Sequence, residues 1–255
     1  MSFVVNPWNF IRSMKSVDQW SNVLNANIAG TTRAGFKQSD LMFGGGKVSY
    51  TMRPYFNPKA GIQIGEQALQ VDHTSVNFGG GSLTGSDSVT HLAISGMGFF
   101  RVAPAPGANP ANDIRYTRDG EFRVQVGTNR LINNDGLYVL DTAGNAVVVN
   151  TGTEKADILA NVSIATFGDD QGLAYDPMRG STYFMRTNSS GAETVTLSAA
   201  AVGIGTILTN TLEASNVNLA DQLARLNTSE KFFEALTKQL TVYLDNIDQS
   251  LRLFR

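Results

Sequence analysis

Both ends of the chain carry apolar residues at the three- and four-residue steps of an amphipathic helix. Asn6 and Pro7 predict the start of the first helix, because asparagine caps helix ends and proline is tolerated at the first helical position. The apolar stripe that follows consists of Phe10, Met14, Val17, Leu24 and Ile28. Gly30 is predicted to end this helix as a left-handed residue just past the last turn.

The carboxyl end has the strongest periodic pattern in the sequence. Asn218 is the predicted cap, Asp221 lies in the first turn, and Arg252 and Arg255 suit the negative end of the helix dipole. At about 1.5 Å per residue, this helix is predicted to be roughly 50 Å long. Its apolar stripe has a first series with a spacing of seven residues, formed by Leu219, Leu226, Phe233, Leu240, Ile247 and Phe254. A second series lies four residues after members of the first and is formed by Leu223, Leu244 and Leu251.

The two stripes predict a helical hairpin in which part of the apolar face of the longer helix stays uncovered. Glu230 and Thr237 interrupt the second series, so the longer stripe is not uniformly apolar. A shorter helix covers only part of a longer one, and the uncovered part of the stripe then needs another partner. We therefore predict that the residues of both stripes form an assembly interface, within a subunit and between subunits.

Between the helices the pattern changes to short apolar runs bounded by turn residues, which predicts strands. Successive strands are predicted in "HLAISGMGFFRVA", "IRYTRDGEFRVQV", "RLINNDGLYVLD" and "NAVVVN", with turns at residues 119–120, 135–136 and 143–145. Further strands are predicted in "ADILANVSIATF", "STYFMRTN" and "GAETVTLSA". In Phe99-Phe100 the alternation of a strand sends the two rings to opposite faces, which predicts one core contact and one interface or edge contact. We favour core packing for this pair over the lining of a ligand cleft.

Two glycine-rich segments interrupt this pattern. Residues 43–66 contain three consecutive glycines and two prolines, which predicts an extended arm or an irregular hairpin. Residues 78–88, "FGGGSLTGSDS", are predicted to be flexible. The sequence thus predicts an α+β protein. A terminal helical coiled-coil domain is predicted at residues 1–40 and 212–255, an extended arm or linker at 41–72 and an all-β domain at 73–211.

Composition and charge exclude several classes of function. The formal net charge of −2 gives no electrostatic field for binding nucleic acid or an anionic membrane. The sequence contains no cysteine, so it has no disulfides and no thiolate metal sites. No apolar run reaches the roughly 20 residues of a membrane span, and the amino terminus lacks the pattern of a cleavable signal peptide.

The motifs of common catalytic and binding sites are missing or incomplete. "FGGGKVSY" lacks the Ser or Thr after the lysine and the earlier glycine that a phosphate-binding loop requires. His73 and His91 are the only histidines, and two isolated imidazoles without a clustered carboxylate triad are not the pattern of a zinc site. No nucleophile elbow is present and no pair of carboxylates stands out. We therefore predict no catalytic residue, no cofactor and no metal.

Five segments together resemble the axial proteins of the bacterial flagellar rod and hook. "NIAGTTRAGFK" at residues 27–37 is similar to the amino-terminal signature of that family. "ISGMGFFRV", "YTRDGEF" and "LINNDGLYVL" resemble its strand and turn motifs, and "LEASNVNLADQLARLNTSEKFFEA" resembles its carboxyl-terminal block. The matches follow the order of the family and span almost the whole chain. Gly30 replaces the usual asparagine, and Arg33 and Ala34 replace a common threonine pair.

The resemblance implies a structural subunit of the flagellar basal-body rod. Such a subunit polymerises into a hollow helical drive shaft that transmits torque and encloses the export channel, with both terminal helices in its inner coiled-coil layer. The implied partners are further copies of the chain, other rod and hook proteins, surrounding ring proteins and the flagellar type III export apparatus. The implied location is the basal body, across the periplasm, reached without a cleavable signal peptide.

Two alternatives remain open at this level. Hook members of the family usually carry a further large outer domain for which this chain has no room, so a rod subunit is favoured over a hook-like subunit. "KAGIQIG" after a long arm resembles the distal rod member. An alternative from another class is a secreted β-rich binding module, or an enzyme, that its helices merely oligomerise.

Overall fold

Long helices lie at both ends of the described chain. The computed structural model describes residues 7–44, 49–51, 62–64, 68–105, 107, 113–197 and 205–253. Helix α1 (Pro7–Gly30) begins at the predicted proline, and α3 (Leu219–Arg252) is 34 residues long. The Asn218 side chain accepts hydrogen bonds from the backbone N–H groups of Ala220 and Asp221, as predicted for an N-cap. The predicted cap at Asn6 and the terminal Phe254 and Arg255 lie outside the described residues.

The end of α1 corrects the prediction made for Gly30. Gly30 is the last residue of the helix, and the left-handed residue is Gly35, with a φ of 65°. Gly30 instead has no room for a side chain, because a Cβ atom there would lie 2.4 Å from the ring of Phe36. The sequence pattern marked the correct place but assigned the wrong physical role to this glycine.

The chain divides into two compact units. The helical unit takes its described residues from Met1–Ala29, Ser39–Ser75 and Asn218–Arg255, and the β unit takes its described residues from Gly30–Gln38 and Val76–Val217. The α+β class with helices at both ends is therefore confirmed. The coiled-coil layer, the extended arm and the predicted domain bounds stay predictions.

The described strands form one large sheet and several two-stranded sheets. The strands are β1 (Ser39–Gly44), β2 (Ser49–Thr51), β3 (Ile62–Ile64), β4 (Gln70–Val76), β5 (Leu83–Gly85), β6 (Leu92–Ser95), β7 (Phe99–Ala103), β8 (Arg115–Thr117), β9 (Phe122–Val124), β10 (Leu131–Asn133), β11 (Tyr138–Val139), β12 (Ser163–Thr166), β13 (Ala174–Asp176), β14 (Gly180–Met185), β15 (Thr194–Leu197), β16 (Thr206–Thr209) and β17 (Thr211–Glu213). Nine of them form an antiparallel sheet with the path β13-β14-β8-β7-β11-β10-β9, and β12 joins β7 to β15. The pairs β16-β6, β17-β5, β1-β4 and β2-β3 complete the described sheets.

The core of the β unit has two apolar clusters that meet at β7. Phe99 and Phe100 are both buried, and their rings belong to different clusters, because successive side chains of a strand point to opposite faces. Phe100 packs edge-to-face on Phe122 at a centroid distance of 5.2 Å, and Phe99 contacts Phe78 at 5.4 Å. Core packing is therefore confirmed, but the prediction that one of the two rings makes an interface or edge contact is wrong, because both faces of β7 are covered.

Two of the predicted strands are wrong in detail. The first half of "ADILANVSIATF" belongs to α2 (Glu154–Asn161), and only its second half forms β12. The carboxylate of Asp157 accepts hydrogen bonds from Asn150 and Thr153, and this favours a helix start at this point. "NAVVVN" makes only isolated bridges at Ala146 and Val148 and is not a strand.

The glycine-rich segments differ from their predictions where they are described. The described parts of residues 43–66 lie in β1, β2 and β3, and residues 45–48, 52–61 and 65–66 lie outside the described part. Residues 78–88, predicted to be flexible, contain β5, and their backbone binds buried side chains at Gly79 and Gly81. This segment is thus held in place within the β unit, because the side chains of Lys37 and Glu213 form hydrogen bonds with its backbone.

Candidate assembly surface

The apolar stripe of α1 faces the interior of the helical unit. Val17 and Leu24 are buried, and Phe10, Met14 and Ile28 are half-buried. The stripe predicted for the first helix is therefore covered within a single chain along its whole described length.

Helices α1 and α3 contact each other through polar as well as apolar side chains. The Asn27 amide donates to Gln222 Oε1 at 3.1 Å, and the hydroxyls of Ser21 and Ser229 lie 3.0 Å apart. Gln222 and Ser229 are completely buried although neither belongs to the predicted stripe. The sequence analysis missed them. Two features of the sequence could have indicated this contact. Gln222 and Ser229 are one heptad apart, and the polar Ser21 lies at helical spacing between Val17 and Leu24 of the first stripe.

The register of these contacts makes the two helices antiparallel. Asn27 meets Gln222 near one end of the hairpin, and the ring of Phe10 lies 6.2 Å from that of Tyr243 near the other end. Helix α3 is ten residues longer than α1, which has 24 residues. The last turns of α3 therefore extend beyond the first described residue of α1.

The stripe of α3 separates into a covered part and an exposed part. Leu226 and Leu240 are half-buried. Six other members expose between 40% and 64% of their surface, namely Leu219, Leu223, Phe233, Leu244, Ile247 and Leu251. The structure thus brings two described residues of the long stripe onto the hairpin and leaves six on the surface of the helical unit.

A groove lies between the two helices beside this exposed stripe. It has a volume of about 380 Å³ and is lined by Asp18, Ser21, Glu230, Phe233 and Glu234. We call these five residues the acidic groove. Glu230 is one of the two residues that interrupt the apolar series in the sequence, so the structure places this interruption in a depression of the surface.

In the β unit, three of the segments that resemble the flagellar family converge on one carboxylate. Lys37 Nζ lies 2.5 Å from Glu213 Oε1, and Arg118 Nη1 lies 3.2 Å from Glu213 Oε2. All three side chains are at least 96% buried. We call Lys37, Arg118 and Glu213 the charge cluster. Its members come from "AGFK", "YTRDGEF" and "LEASNV", which lie far apart in the sequence.

Further hydrogen bonds of the charge cluster reach backbone atoms of the surrounding segments, whereas the buried Arg118 Nε has no partner among the described residues. Lys37 donates to Gly79 O, Arg118 donates to the carbonyls of Ile94 and Gly96, and Glu213 accepts from Gly81 N–H. Burial lowers the pKa of Lys37 and of Arg118, while the nearby Glu213 opposes this shift in both. The cluster therefore fixes several loops at once.

Gly35 allows the close approach of chain segments at this point. It has a positive φ, and a Cβ atom built on it would lie 2.2 Å from the backbone carbon of Arg118. Next to it, the side-chain amide of Asn216 accepts from Gln38 N–H and donates to the carbonyl of Gly79. Within "TTRAGFK", Gly35 is therefore needed for backbone packing.

We searched the described residues for sites of other kinds. No group of three or more His or acidic side chains in the described part of the chain is placed to hold a metal ion. No described helix is long and apolar enough to cross a membrane. His73 pairs with Asp72 on the surface, and His91 contacts Ser86.

Comparisons of the sequence with known proteins find similarity in part of the β unit and along almost the whole chain. Residues 93–169 match the model of the family described as the flagellar hook protein FlgE/F/G D1 domain. The chain is 26% identical to the flagellar basal-body rod protein FlgG of Buchnera aphidicola subsp. Baizongia pistaciae, with 91% of this chain and 92% of the relative covered.

Two further relatives extend the comparison. The chain is 25% identical to FlgG of Bacillus subtilis, with 96% and 97% of the two chains covered. It is 26% identical to the rod protein FlgF of Caulobacter vibrioides, with 86% and 85% covered. These matches agree with the resemblance seen in the five sequence segments: over almost its whole length the chain is similar to flagellar basal-body rod proteins.

Proposed function

We propose that the chain is a structural subunit of the flagellar rod that polymerises into a hollow helical shaft, transmits torque and encloses the export channel. The observation that carries the proposal is the exposed stripe of α3, because six large apolar side chains on one helix need a partner. A second copy supplies such a partner at every step of a helical polymer.

The interface of this polymer consists of the stripe residues of both helices. Those of α1 and the half-buried Leu226 and Leu240 hold the hairpin together within a subunit. The six exposed residues of α3 pack on neighbouring subunits, and they form the coiled-coil layer with the helices of those neighbours. In the described residues the two units are separately compact, which suits a helical layer for assembly combined with a β unit.

The partners of the chain follow from its family. Other rod and hook proteins adjoin the polymer at its ends, ring proteins surround it, and the type III apparatus exports the subunits. The chain resides in the basal body, across the periplasm. A position in the distal rod follows from the resemblance of "KAGIQIG" to the distal rod member, and the FlgG relatives, named as basal-body rod proteins, are matched along 85–97% of their length. A hook-like subunit is the alternative, since the matched family model also includes FlgE.

A pair of single substitutions on α3 tests this function. Leu244 belongs to the exposed stripe and Val242 lies outside it, and the two side chains are exposed to a similar degree, 54% and 58%. Placing a charge in a dry interface is costly, whereas a charge on a solvent-exposed face is tolerated. We expect Leu244→Asp to prevent assembly and Val242→Asp to preserve it.

Assembly is measured by electron microscopy and sedimentation of the purified chain, and function by swimming of cells that carry each variant. Wild-type protein should form hollow tubes, and circular dichroism should show that both variants are folded. Normal tubes and normal swimming with Leu244→Asp would exclude the stripe as the assembly surface. Discrete wild-type particles that never grow into tubes would instead favour a binding module oligomerised by its helices.

A further inference from the structure

The acidic groove is a gap in the otherwise apolar stripe of α3. Glu230 occupies the same heptad position as Leu223 and Leu244, so an interface that covers those leucines also covers Glu230. Asp18 of α1 and Glu234 of α3 face the same depression, and Phe233 contributes an exposed aromatic surface to it. The groove thus combines three carboxylates with one apolar contact.

The charges of the groove are not neutralised within the chain. Among the described residues, neither Asp18 nor Glu230 forms an ion pair, and Glu234 has only a solvent-exposed contact of 3.6 Å with Lys231. A carboxylate that is removed from water without a cation strongly destabilises the buried state. An interface that covers the groove therefore has to bring cations to it.

A face of α1 carries the complementary groups. Trp8, Ile11, Arg12 and Lys15 lie three and four residues apart and therefore share one side of the helix, and all four are exposed. We call these residues the basic face. Neither Arg12 nor Lys15 forms an ion pair with a described residue, and Lys15 does not pair with Asp18 even though the two are three residues apart.

We propose that the basic face of one copy docks into the acidic groove of the next copy. This inference rests on the proposed self-assembly and adds the chemistry that decides which surfaces meet. Arg12 and Lys15 neutralise Asp18, Glu230 and Glu234, and Trp8 and Ile11 cover Phe233. A second copy is the partner because its basic face offers both the cations and the apolar side chains that the groove lacks.

The contact has a direct consequence for the kind of assembly that forms. The groove and the basic face share no side chain, although Asp18 lies only three residues after Lys15 on α1, so each subunit uses one to bind the copy before it and the other to bind the copy after it. Such a head-to-tail contact does not stop at a dimer and grows into an open helical polymer unless its rotation closes a ring. Opposite charges also exclude the wrong register, in which groove meets groove.

Charge reversal of each surface tests the proposal with the full-length chain. The groove variant is Glu230→Lys with Glu234→Lys, and the face variant is Arg12→Glu with Lys15→Glu. Each variant alone sets like charges against each other, so we expect the protein concentration needed for assembly to rise roughly tenfold or more. An equal mixture should assemble at close to the wild-type concentration, because each variant restores the contact that the other one lacks.

The control is Lys238→Glu, which reverses an exposed cation of α3 outside the basic face. It should assemble like the wild type. Circular dichroism checks the fold of each variant, and Asp18→Lys replaces the groove variant if that one is unfolded. Assembly of either variant at the wild-type concentration, or a mixture no better than its components, would overturn the docking proposal alone. A wild-type chain that does not assemble would overturn the proposed function as well.

Discussion

Glu213 is the residue whose loss should weaken the β unit most, because two buried cations share its carboxylate. Lys37 and Glu213 are essentially inaccessible to solvent, and Arg118 is only 4% exposed. The substitution Glu213→Gln keeps the size of the side chain and an oxygen that can accept from Gly81 N–H and from Lys37. It removes the negative charge and leaves two positive charges buried together.

The expected cost follows from the number of pairs that are broken. Removal of one partner of a buried ion pair typically costs about 3–5 kcal/mol. The two pairs share one carboxylate, so their contributions are not additive, and we expect a total loss of about 3–5 kcal/mol in the free energy of unfolding. For a unit of this size, the loss corresponds to a fall in Tm of roughly 10–15 °C.

Urea unfolding followed by far-ultraviolet circular dichroism measures this loss. Trp8 and Trp20, the two tryptophans of the sequence, both lie in α1, so their fluorescence follows the helical unit separately. The matched control is Glu121→Gln, because Glu121 is a partly exposed acid of the β unit whose carboxylate accepts a hydrogen bond from the neutral amide of Asn134. It should change the stability by less than about 0.5 kcal/mol. If Glu213→Gln stays within 1 kcal/mol of the wild type, the charge cluster is not a source of stability.

Two further predictions concern neighbouring positions of the β unit. Burial raises the pKa of Asp119 in the folded protein to about 6, whereas its pKa in the unfolded chain is near 4. Between about pH 4 and pH 6 the folded protein therefore keeps a proton that the unfolded chain has lost. The free energy of unfolding consequently falls as the pH rises through this window. Asp119→Asn should therefore be more stable than the wild type by about 1–3 kcal/mol at pH 7.5 and equal to it below pH 4 in urea titrations, and an unchanged difference across this range would contradict the assignment. Gly35→Ala should lower the free energy of unfolding by more than about 2 kcal/mol, because a positive φ combines with a clash against the Arg118 backbone. Gly136 has a positive φ but open space around it, so Gly136→Ala should lower the free energy of unfolding by only about 1 kcal/mol. Equal losses of the two variants in thermal unfolding would show that the clash at residue 35 is relieved.

The sequence by itself determined the features that depend on neighbouring residues. Pro7 marks the start of α1, and Asn218 caps α3, because both act through backbone groups within one helical turn. The strands around Gly136 follow from alternation and from a glycine in the turn. The family resemblance was also accessible, since its motifs are runs of consecutive residues.

Packing decided which face of α3 meets α1. The apolar series predicted one continuous seam, yet the contact includes Gln222 and Ser229 and leaves Leu223 and Leu244 exposed. Helical periodicity defines faces but does not state which neighbour each face receives, and α3 carries apolar groups on more than one face. The acidic groove was visible in the sequence only as an interruption at Glu230.

Only the tertiary structure brought together the charge cluster and corrected the role of the glycines. Lys37 and Glu213 are 176 positions apart, and no local rule pairs a lysine with one of 22 acidic residues at such a distance. Gly30 and Gly35 cannot be told apart by local sequence rules. In the structure, the absence of a side chain at Gly30 makes room for the ring of Phe36, whereas Gly35 adopts a left-handed backbone conformation. Local sequence limits backbone conformation over a few residues, whereas burial and charge pairing depend on segments that meet only when the chain is folded.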